Sequence, residues 1–335
     1  MKKTIIFKSL LFILVLIGLL YPVNYVMRGD KHESSAVAGF DKEKKDTIDA
    51  VFLGSSQVFV SIIPMEIWNN THIRSYNLGA SATNIPTMYY LAKMAIRKQH
   101  PKIIIADMGF IYSNNKIEGS ERFHAVFDNF FLLKEKYEAL FNLVDKKDWY
   151  EIIYPLRIYH SGWKEINKKY FISLEDKNML KGSFLSAAKT PIDFSFQLTG
   201  EKKEIPQPTL EYIVKLINLC KENNVKLVLV NYPLEIYSQK YGFDSYFGYL
   251  LSLEELARYY NVPYYNGYID NNHWGLDYEV DFRDPAHVNI SGALKISNFM
   301  GKILEENNQI WRENKNADDI WDSQYIKYII YLKNF

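Results

Sequence analysis

Short apolar runs alternate with amphipathic segments along most of this chain, and this alternation constrains the fold more than any other feature. Runs of the length and composition of buried strands lie at 48–53, 73–78, 102–107, 225–230 and 262–265. Apolar residues recur at helical spacing in 85–99, 208–224, 251–260 and 291–307. Strands that alternate with helices predict a central parallel sheet covered on both faces, which is a three-layer α/β/α sandwich.

The N-terminus carries a second strong signal, an apolar run from Ile5 to Met27 that follows two lysines. This run reaches the ~20 residues that a bilayer-spanning helix needs, and no small-residue cleavage site closes it. We therefore expect residues 1–27 to be a retained signal anchor, a single transmembrane helix with its N-terminus in the cytoplasm and the remaining chain outside. A cleaved signal peptide or a buried core helix is the alternative. The polar residues 28–46 predict a juxtamembrane tether.

The remaining chain is expected to form one domain over 47–307. Between 110 and 205 the alternation of strands and helices is lost, and the segment is aromatic, charged and mostly helical in pattern. We interpret it as a helical insertion that packs over one edge of the sheet as a lid or groove wall. The tail, 308–335, contains an apolar cluster that would dock on the domain or on a partner.

Charge and motif content exclude several functional classes. The chain has 40 basic and 39 acidic side chains, a net charge of +1, which argues against a sequence-independent nucleic-acid binder. Its one cysteine, Cys220, excludes an internal disulfide and a cysteine-based zinc cluster. Because no P-loop, G-x-G-x-x-G, H-E-x-x-H or EF-hand pattern occurs, we expect no cofactor and no metal.

Polar residues that could carry chemistry follow the predicted strands. Ser56 comes after the first strand, and Asp284 and His287 come just before the last helix. A serine hydroxyl becomes a nucleophile when a base takes its proton and a third group orients the base. In a tight turn the Asp-x-x-His spacing lets the carboxylate reach the imidazole Nδ1. We therefore predict a Ser56–His287–Asp284 triad, with the N–H groups of Ser56 and Gly79 as an oxyanion hole.

This order of blocks resembles the SGNH (GDSL-type) hydrolase superfamily over roughly 47–307, outside the insertion. Gly54-Ser55-Ser56 matches the family's first block with serine in place of its aspartate, Gly79 matches the second-block glycine, and Asp284 with His287 matches the last block. The resemblance implies a flavodoxin-like sandwich. In having serine at this position the chain is similar to membrane-anchored bacterial relatives that act in teichoic-acid D-alanylation and polysaccharide O-acetylation. The family's third block, which supplies an oxyanion-stabilising asparagine, is not recognisable, and Asp107-Met108-Gly109 stands near its place. Asn84 would replace that donor if the loop after Gly79 folds back.

These observations predict a membrane-anchored, extracytoplasmic serine O-acyltransferase or esterase. By the resemblance, its acceptor would be a cell-surface polymer such as teichoic acid, peptidoglycan or exopolysaccharide, and its acyl group would come from a multi-spanning membrane partner. Two alternatives stay open, a catalytically silent carbohydrate-binding or scaffolding module and a secreted esterase freed by signal cleavage. His160 could line a substrate groove, and His273 with Trp274 could form a sugar-stacking wall, although an ordinary loop or turn explains each more simply.

Overall fold

In the computed structural model, five parallel strands form the central sheet. The structure describes residues 2–28, 32–114, 119–128, 134–154, 156–165, 178–194, 200–270, 272–307 and 311–333. The strands are β1 (Ala50–Gly54), β2 (Ser75–Gly79), β3 (Ile103–Asp107), β4 (Lys226–Asn231) and β5 (Tyr264–Asn266). Their order across the sheet is β2-β1-β3-β4-β5, and all four pairings are parallel. This confirms the predicted α/β sandwich with a flavodoxin-like strand order.

Helices cover both faces of the sheet, and the central strands β1 and β3 are apolar on both sides. Every residue of β1, β2 and β3 is buried, as expected for a parallel sheet between two helical layers. The helices that follow these strands are α3 (Ser56–Ser61), α4 (Pro64–Thr71), α5 (Ile85–Gln99), α10 (Gln207–Glu222), α11 (Tyr246–Tyr260) and α12 (Ile290–Glu306). The first two pack with α12, and α5 packs with α10.

The N-terminal helix α1 (Lys2–Arg28) contains the apolar run identified in the sequence. Its segment Lys3–Leu20 is long and apolar enough to cross a membrane, and none of it is buried against the rest of the protein. An anchor and a signal sequence share these properties.

Part of the segment expected as a tether is instead a packed helix, α2 (His32–Lys42). Val37 and Phe40 are fully buried, and the Phe40 ring lies edge-on to Tyr76 with the ring centroids 5.2 Å apart. The apolar stripe is only two turns long and charged residues flank it, so the composition of the segment conceals it. The folded domain therefore begins before residue 47.

The region between β3 and α10 is mainly helical over the described residues of 119–165, whereas 183–194 and 200–206 have no regular secondary structure. It contains α6 (Gly119–Phe127), α7 (Lys134–Leu143), α8 (Trp149–Ile153), α9 (Leu156–Tyr159) and 3₁₀ turns that include Gly162–Glu165 and Asn178–Leu180. Its last part borders the β2 edge, where the Asn77 N–H donates to the Lys181 carbonyl at 3.0 Å. It then crosses α3, where the Phe184 N–H donates to the Phe59 carbonyl at 2.8 Å.

The C-terminal tail docks on the domain as helix α13 (Lys315–Lys333). Trp321 is buried against Trp68, with ring centroids 5.5 Å apart, and the Tyr328 hydroxyl donates to Glu66 at 2.8 Å. Of the two positions considered for this tail, the structure shows the one on the domain.

Candidate active site

Ser56 is the first residue of α3 and follows directly on β1. Ser55 has an extended backbone (φ −92°, ψ −161°) and caps the helix, because its Oγ accepts a hydrogen bond from the Gln57 N–H at 3.3 Å. The turn from strand to helix therefore falls at Gly54-Ser55, which places the Ser56 side chain at the carboxyl edge of the sheet. Ligands of open parallel sheets bind at this edge.

Asp284 and His287 lie on a short antiparallel hairpin formed by β6 (Phe282–Asp284) and β7 (His287–Val288). The turn is fixed locally, since the Ala286 N–H donates to Asp284 Oδ1 at 2.9 Å. His287 Nδ1 lies 2.9 Å from Asp284 Oδ1 and 3.0 Å from Oδ2. A carboxylate only accepts hydrogen bonds, so this contact places the imidazole proton on Nδ1 and leaves Nε2 as an acceptor.

The hairpin brings His287 to Ser56 across 231 positions of sequence. His287 Nε2 lies 2.9 Å from Ser56 Oγ, within hydrogen-bond distance. The three predicted residues thus form one continuous chain from hydroxyl to imidazole to carboxylate. The His287 side chain is 19% exposed and that of Asp284 is 40% exposed, so the chain borders solvent from which a substrate can enter.

Burial lowers the pKa of His287 below its usual value of 6.5, an effect that the nearby Asp284 opposes and the cationic Arg283 reinforces. The imidazole is therefore neutral at neutral pH, which is the state that accepts a proton from a hydroxyl. Arg283 also donates from Nε to Asp284 Oδ2 at 3.2 Å. It thus contacts the orienting carboxylate directly, a contact that the sequence pattern alone did not reveal.

Gly79 lies opposite Gly54 in the β1–β2 ladder, immediately beside the turn that carries Ser56. A Cβ on Gly79 would stand 2.6 Å from the Gly54 carbonyl oxygen, closer than real side chains approach. Only glycine fits at this position, so the backbone of Gly79 reaches the edge where Ser56 lies.

The side chain of Asn84 caps a helix in this fold. Its side-chain oxygen accepts a hydrogen bond from the Thr87 N–H at 3.0 Å and caps the start of α5. Asn84 is also nearly buried, at 7% exposure. The cap accounts for an asparagine at this position, and its role as an oxyanion donor stays a prediction.

A buried polar cluster behind Ser56 was not identified as a unit from the sequence. Asp107, at the end of β3, is 1% exposed and accepts from the Gly109 N–H at 3.0 Å. Its Cβ lies 2.8 Å from the point where a Cβ of Gly54 would stand. Desolvation raises the pKa of Asp107 to about 7. Beside it, Gln57 donates from Nε2 to the Tyr237 hydroxyl at 2.8 Å.

Gln57 and Tyr237 are 180 positions apart, and no local pattern joins them. The one sequence signal for this cluster is a carboxylate that directly follows the run of isoleucines in β3. Strongly shifted titrating groups concentrate at functional sites, and Asp107 is such a group at the edge of the sheet that carries Ser56.

The end of the insertion forms one wall of the candidate site. The Thr190 N–H donates to the Phe282 carbonyl and the Ile290 N–H donates to the Ser186 carbonyl, both at 2.8 Å, so this segment is tied to the Asp284–His287 hairpin from both sides. The Phe184 ring lies beneath the Arg283 guanidinium, 5.4 Å from its carbon to the ring centroid.

The secondary candidates Trp274 and His160 lie in different surroundings. Trp274 is buried and stacks on Phe299, with ring centroids 5.0 Å apart, so it is a core residue and not an exposed sugar-stacking surface. His160 is exposed at the turn between α9 and the 3₁₀ turn Gly162–Glu165. Within the described parts of the chain, no group of three or more histidine, cysteine, aspartate and glutamate side chains is arranged to hold a metal ion.

No protein-family model matches this sequence, and no curated protein matches it. Among solved structures, one described as "a putative acylhydrolase" from Bacteroides fragilis aligns with 80% of this chain and 89% of its own, at 10% identity and a TM-score of 0.40. A GDSL-like lipase from Bacteroides thetaiotaomicron aligns with 83% of this chain and 98% of its own, at 11% identity and a TM-score of 0.41. A likeness this distant carries no conclusion about activity, for which the geometry around Ser56 is the basis.

Proposed function

We propose that the chain is a serine acyl-transfer enzyme, an O-acyltransferase or esterase of SGNH type, in which Ser56 is the nucleophile. The observation that carries this proposal is the continuous hydrogen-bonded chain Ser56 Oγ–His287 Nε2–His287 Nδ1–Asp284. A serine, a neutral imidazole and a carboxylate in this order are the elements of nucleophilic acyl transfer.

In the first half-reaction, Ser56 Oγ attacks the carbonyl carbon of an acyl donor while His287 Nε2 takes the hydroxyl proton. Asp284 stabilises the imidazolium that forms. The N–H groups of Ser56 and Gly79 are the donors we assign to the oxyanion of the tetrahedral intermediate. When that intermediate collapses, the bond to the leaving group breaks, the leaving group takes the proton from His287, and the acyl group remains esterified to Ser56.

In the second half-reaction, His287 removes a proton from an acceptor hydroxyl, whose oxygen then attacks the acyl-serine. When this tetrahedral intermediate collapses, the ester bond to Ser56 breaks and His287 returns its proton to Ser56 Oγ, which restores the free enzyme. Water as acceptor makes the enzyme an esterase, and a polymer hydroxyl makes it an O-acyltransferase. We favour transfer outside the cytoplasmic membrane to teichoic acid, peptidoglycan or an exopolysaccharide. A helix able to anchor the chain, α1, supports this choice, because a tethered catalyst suits an acyl group delivered by a multi-spanning membrane partner.

The test of the nucleophile is labelling of the full chain with a fluorophosphonate, which reacts with activated serines. We expect the wild type to be labelled and both Ser56→Ala and His287→Ala to lose the label. Ser55→Ala is the matched control, since it removes the adjacent hydroxyl, costs about 1 kcal/mol as a lost helix cap, and should keep the label. A folded wild type that is not labelled, or a labelled Ser56→Ala variant, contradicts the proposal and favours a silent binding module.

The partition between water and polymer separates the two enzyme classes. The labelled acyl group would be followed by mass spectrometry with an activated ester as donor, with and without isolated teichoic acid, peptidoglycan or exopolysaccharide. Acylated polymer identifies a transferase, and free acid alone identifies an esterase. Sequencing of the N-terminus in the membrane fraction tests the anchor, because cleavage would remove α1.

A further inference from the structure

Among the described residues of the insertion, five apolar or aromatic side chains are each more than half exposed: Phe141, Tyr150, Ile153, Tyr154 and Trp163. We call the last four the interfacial patch. The first three of the patch lie at positions i, i+3 and i+4 along α8 and just beyond its end, so they share one face. Exposed aromatic residues grouped in this way are unusual on a surface that contacts only water.

The interfacial patch lies beside the outer end of α1. Helix α9, which lies between Tyr154 and Trp163 in sequence, packs against α1, and so does the 3₁₀ turn that contains Trp163. Gly162 touches the last turn of α1 so closely that a Cβ there would stand 1.7 Å from the Met27 carbonyl oxygen. Trp163 is therefore at the same height along α1 as Met27.

The length of α1 shows where that height falls relative to a bilayer. From Ile5 to Met27 a helix rises about 33 Å at 1.5 Å per residue, and the hydrocarbon core of a bilayer is about 30 Å thick. With Ile5 at the inner boundary, Met27 lies at the outer boundary of the core. Tryptophan and tyrosine concentrate at this boundary, because their rings are apolar and their N–H and O–H groups are polar.

Lysines lie beside the patch, on a segment that also carries the acidic Asp145, Asp148 and Glu151. The Lys164 ammonium lies over the Trp163 ring, 5.7 Å from its centroid. Exposed Lys146 and Lys147 form the turn that leads into α8. Lysines next to apolar residues at a membrane surface reach the headgroups, and anionic lipids attract them.

We propose that the interfacial patch sits in the outer leaflet of the bilayer that α1 crosses, so that the domain is attached to the membrane at two places. This inference rests on the anchor of the proposed function. One helix alone leaves the domain free to rotate, whereas a second attachment through the insertion fixes how the carboxyl edge of the sheet is turned relative to the bilayer. The occupant of this surface is lipid, and the source of the acyl group is a separate question.

The test is the depth of spin labels on the full chain in vesicles of phosphatidylcholine and phosphatidylglycerol. Cys220 is buried and is the only cysteine in the sequence, so Cys220→Ala provides a background for single labels. Ile153→Cys and Trp163→Cys place labels in the interfacial patch separately, so that loss of one aromatic ring does not decide the result. Leu14→Cys reports the middle of α1, and Tyr259→Cys, at a side chain 82% exposed on α11, reports water.

We expect the labels at 153 and 163 to be relaxed more by oxygen than by a water-soluble nickel chelate, as at 14, and the label at 259 to show the reverse. Patch labels that behave like 259 while the label at 14 is in lipid overturn the inference and leave the anchor standing. A label at 14 that is in water overturns the anchor and this inference with it. Neither result bears on whether Ser56 reacts with a fluorophosphonate. The labelling experiment therefore tests the nucleophile independently of the position of the interfacial patch.

Discussion

A buried aspartate lies at each end of the central sheet, and the two aspartates differ in their partners. At the amino end, Asp49 is fully buried and contacts two guanidinium groups, Arg74 at 2.8 Å and Arg312 at 2.9 Å. At the carboxyl end, Asp107 is equally buried, yet among the described residues no lysine or arginine forms an ion pair with it. Its carboxylate accepts instead from a neutral donor, the Gly109 N–H.

The difference separates an end of the sheet whose buried charges are compensated from the end that carries the proposed nucleophile. At the amino end the charges are compensated. The Arg312 guanidinium ties the C-terminal tail to the start of β1 through Asp49 and to the end of α5 by donating to the Gln99 carbonyl at 2.8 Å. At the carboxyl end an uncompensated carboxyl remains beside Ser56, at a cost in stability that folded proteins accept mainly where function requires it.

The largest effect is expected at the carboxyl end, from Asp284→Asn. The amide cannot hold His287 in the tautomer with its proton on Nδ1 and cannot stabilise the imidazolium. We expect the rate of fluorophosphonate labelling to fall by about 10⁴-fold with the fold unchanged. Asp49→Asn is the matched change at the amino end, and its folded fraction should react at the wild-type rate. Equal losses in the two variants would contradict the separation of the two ends.

The second largest effect is a loss of stability, and we expect it at the amino end of the sheet. Asp49→Asn leaves Arg74 and Arg312 without their carboxylate, and removal of one partner of a buried ion pair costs about 3–5 kcal/mol. Urea unfolding of the full chain in detergent micelles, followed by tryptophan fluorescence, measures this loss. Asp318→Asn removes the exposed partner of the same Arg74, a side chain that is 40% exposed, and should cost less than about 1 kcal/mol. If the two variants lose the same free energy of unfolding, the burial of Asp49 does not increase the contribution of its ion pairs to stability.

The third effect is the pH dependence of stability that Asp107 introduces. Burial raises its pKa to about 7 in the folded protein, whereas an unfolded chain has the usual 3.8. Between these values the folded state holds a proton that the unfolded state has lost. Stability therefore falls as pH rises through this window, by about 1.4 kcal/mol per unit and by at most about 4 kcal/mol in all.

Asp107→Asn tests this slope because asparagine keeps an oxygen that can accept from Gly109 and does not titrate. We expect the free energy of unfolding of the variant to exceed that of the wild type increasingly from pH 4 to pH 7 and by a constant amount above it. If the free energies of unfolding of the two proteins change in parallel with pH across this range, Asp107 is not the source of the pH dependence.

The same contrast shows how much of the molecule the sequence predicts. The central strands β1 and β3 lie in continuous apolar runs, and the first predicted strand, 48–53, corresponds to Ala50–Gly54 in the structure. The helix predicted at 85–99 has those bounds in the structure. Ser56 and Gly79 could be placed at one edge because the carboxyl ends of parallel strands meet there. His287 could be placed near them because it lies just before the last helix, which was expected to pack beside the first strand.

What the sequence did not predict depends on contacts between distant segments. Asp49 and Arg312 are 263 positions apart, and nothing near either residue indicates the other. The packing of α2 depends on Phe40 meeting Tyr76, a residue of β2. The helix cap made by the Asn84 side-chain oxygen was likewise not predicted, and the role of this residue as an oxyanion donor stays a prediction. Local patterns identify elements, whereas partners of polar side chains require the tertiary fold.

The smallest effect is expected on the pKa of His287, from the two charged residues beside it. Arg283 lowers the pKa of His287 through its charge, and Asp284 raises it. Because only the neutral imidazole accepts the Ser56 proton, the reaction loses rate when pH falls through the pKa of His287. Arg283→Gln removes the lowering charge, so the acid limb of the labelling rate should move to higher pH. In Asp284→Asn the residual rate should show its acid limb at lower pH than the wild type.

The two shifts are measured as the second-order rate of fluorophosphonate labelling against pH, at constant ionic strength because these charges are partly exposed. Lys295→Gln is the control, since Lys295 pairs with the buried Asp281 at 2.6 Å and not with Asp284. Its acid limb should coincide with that of the wild type. Opposite shifts in the Arg283 and Asp284 variants would show that the charges beside His287 set the working pH of this edge, as the compensated charges at the amino end set its stability. Shifts in the same direction would remove that distinction.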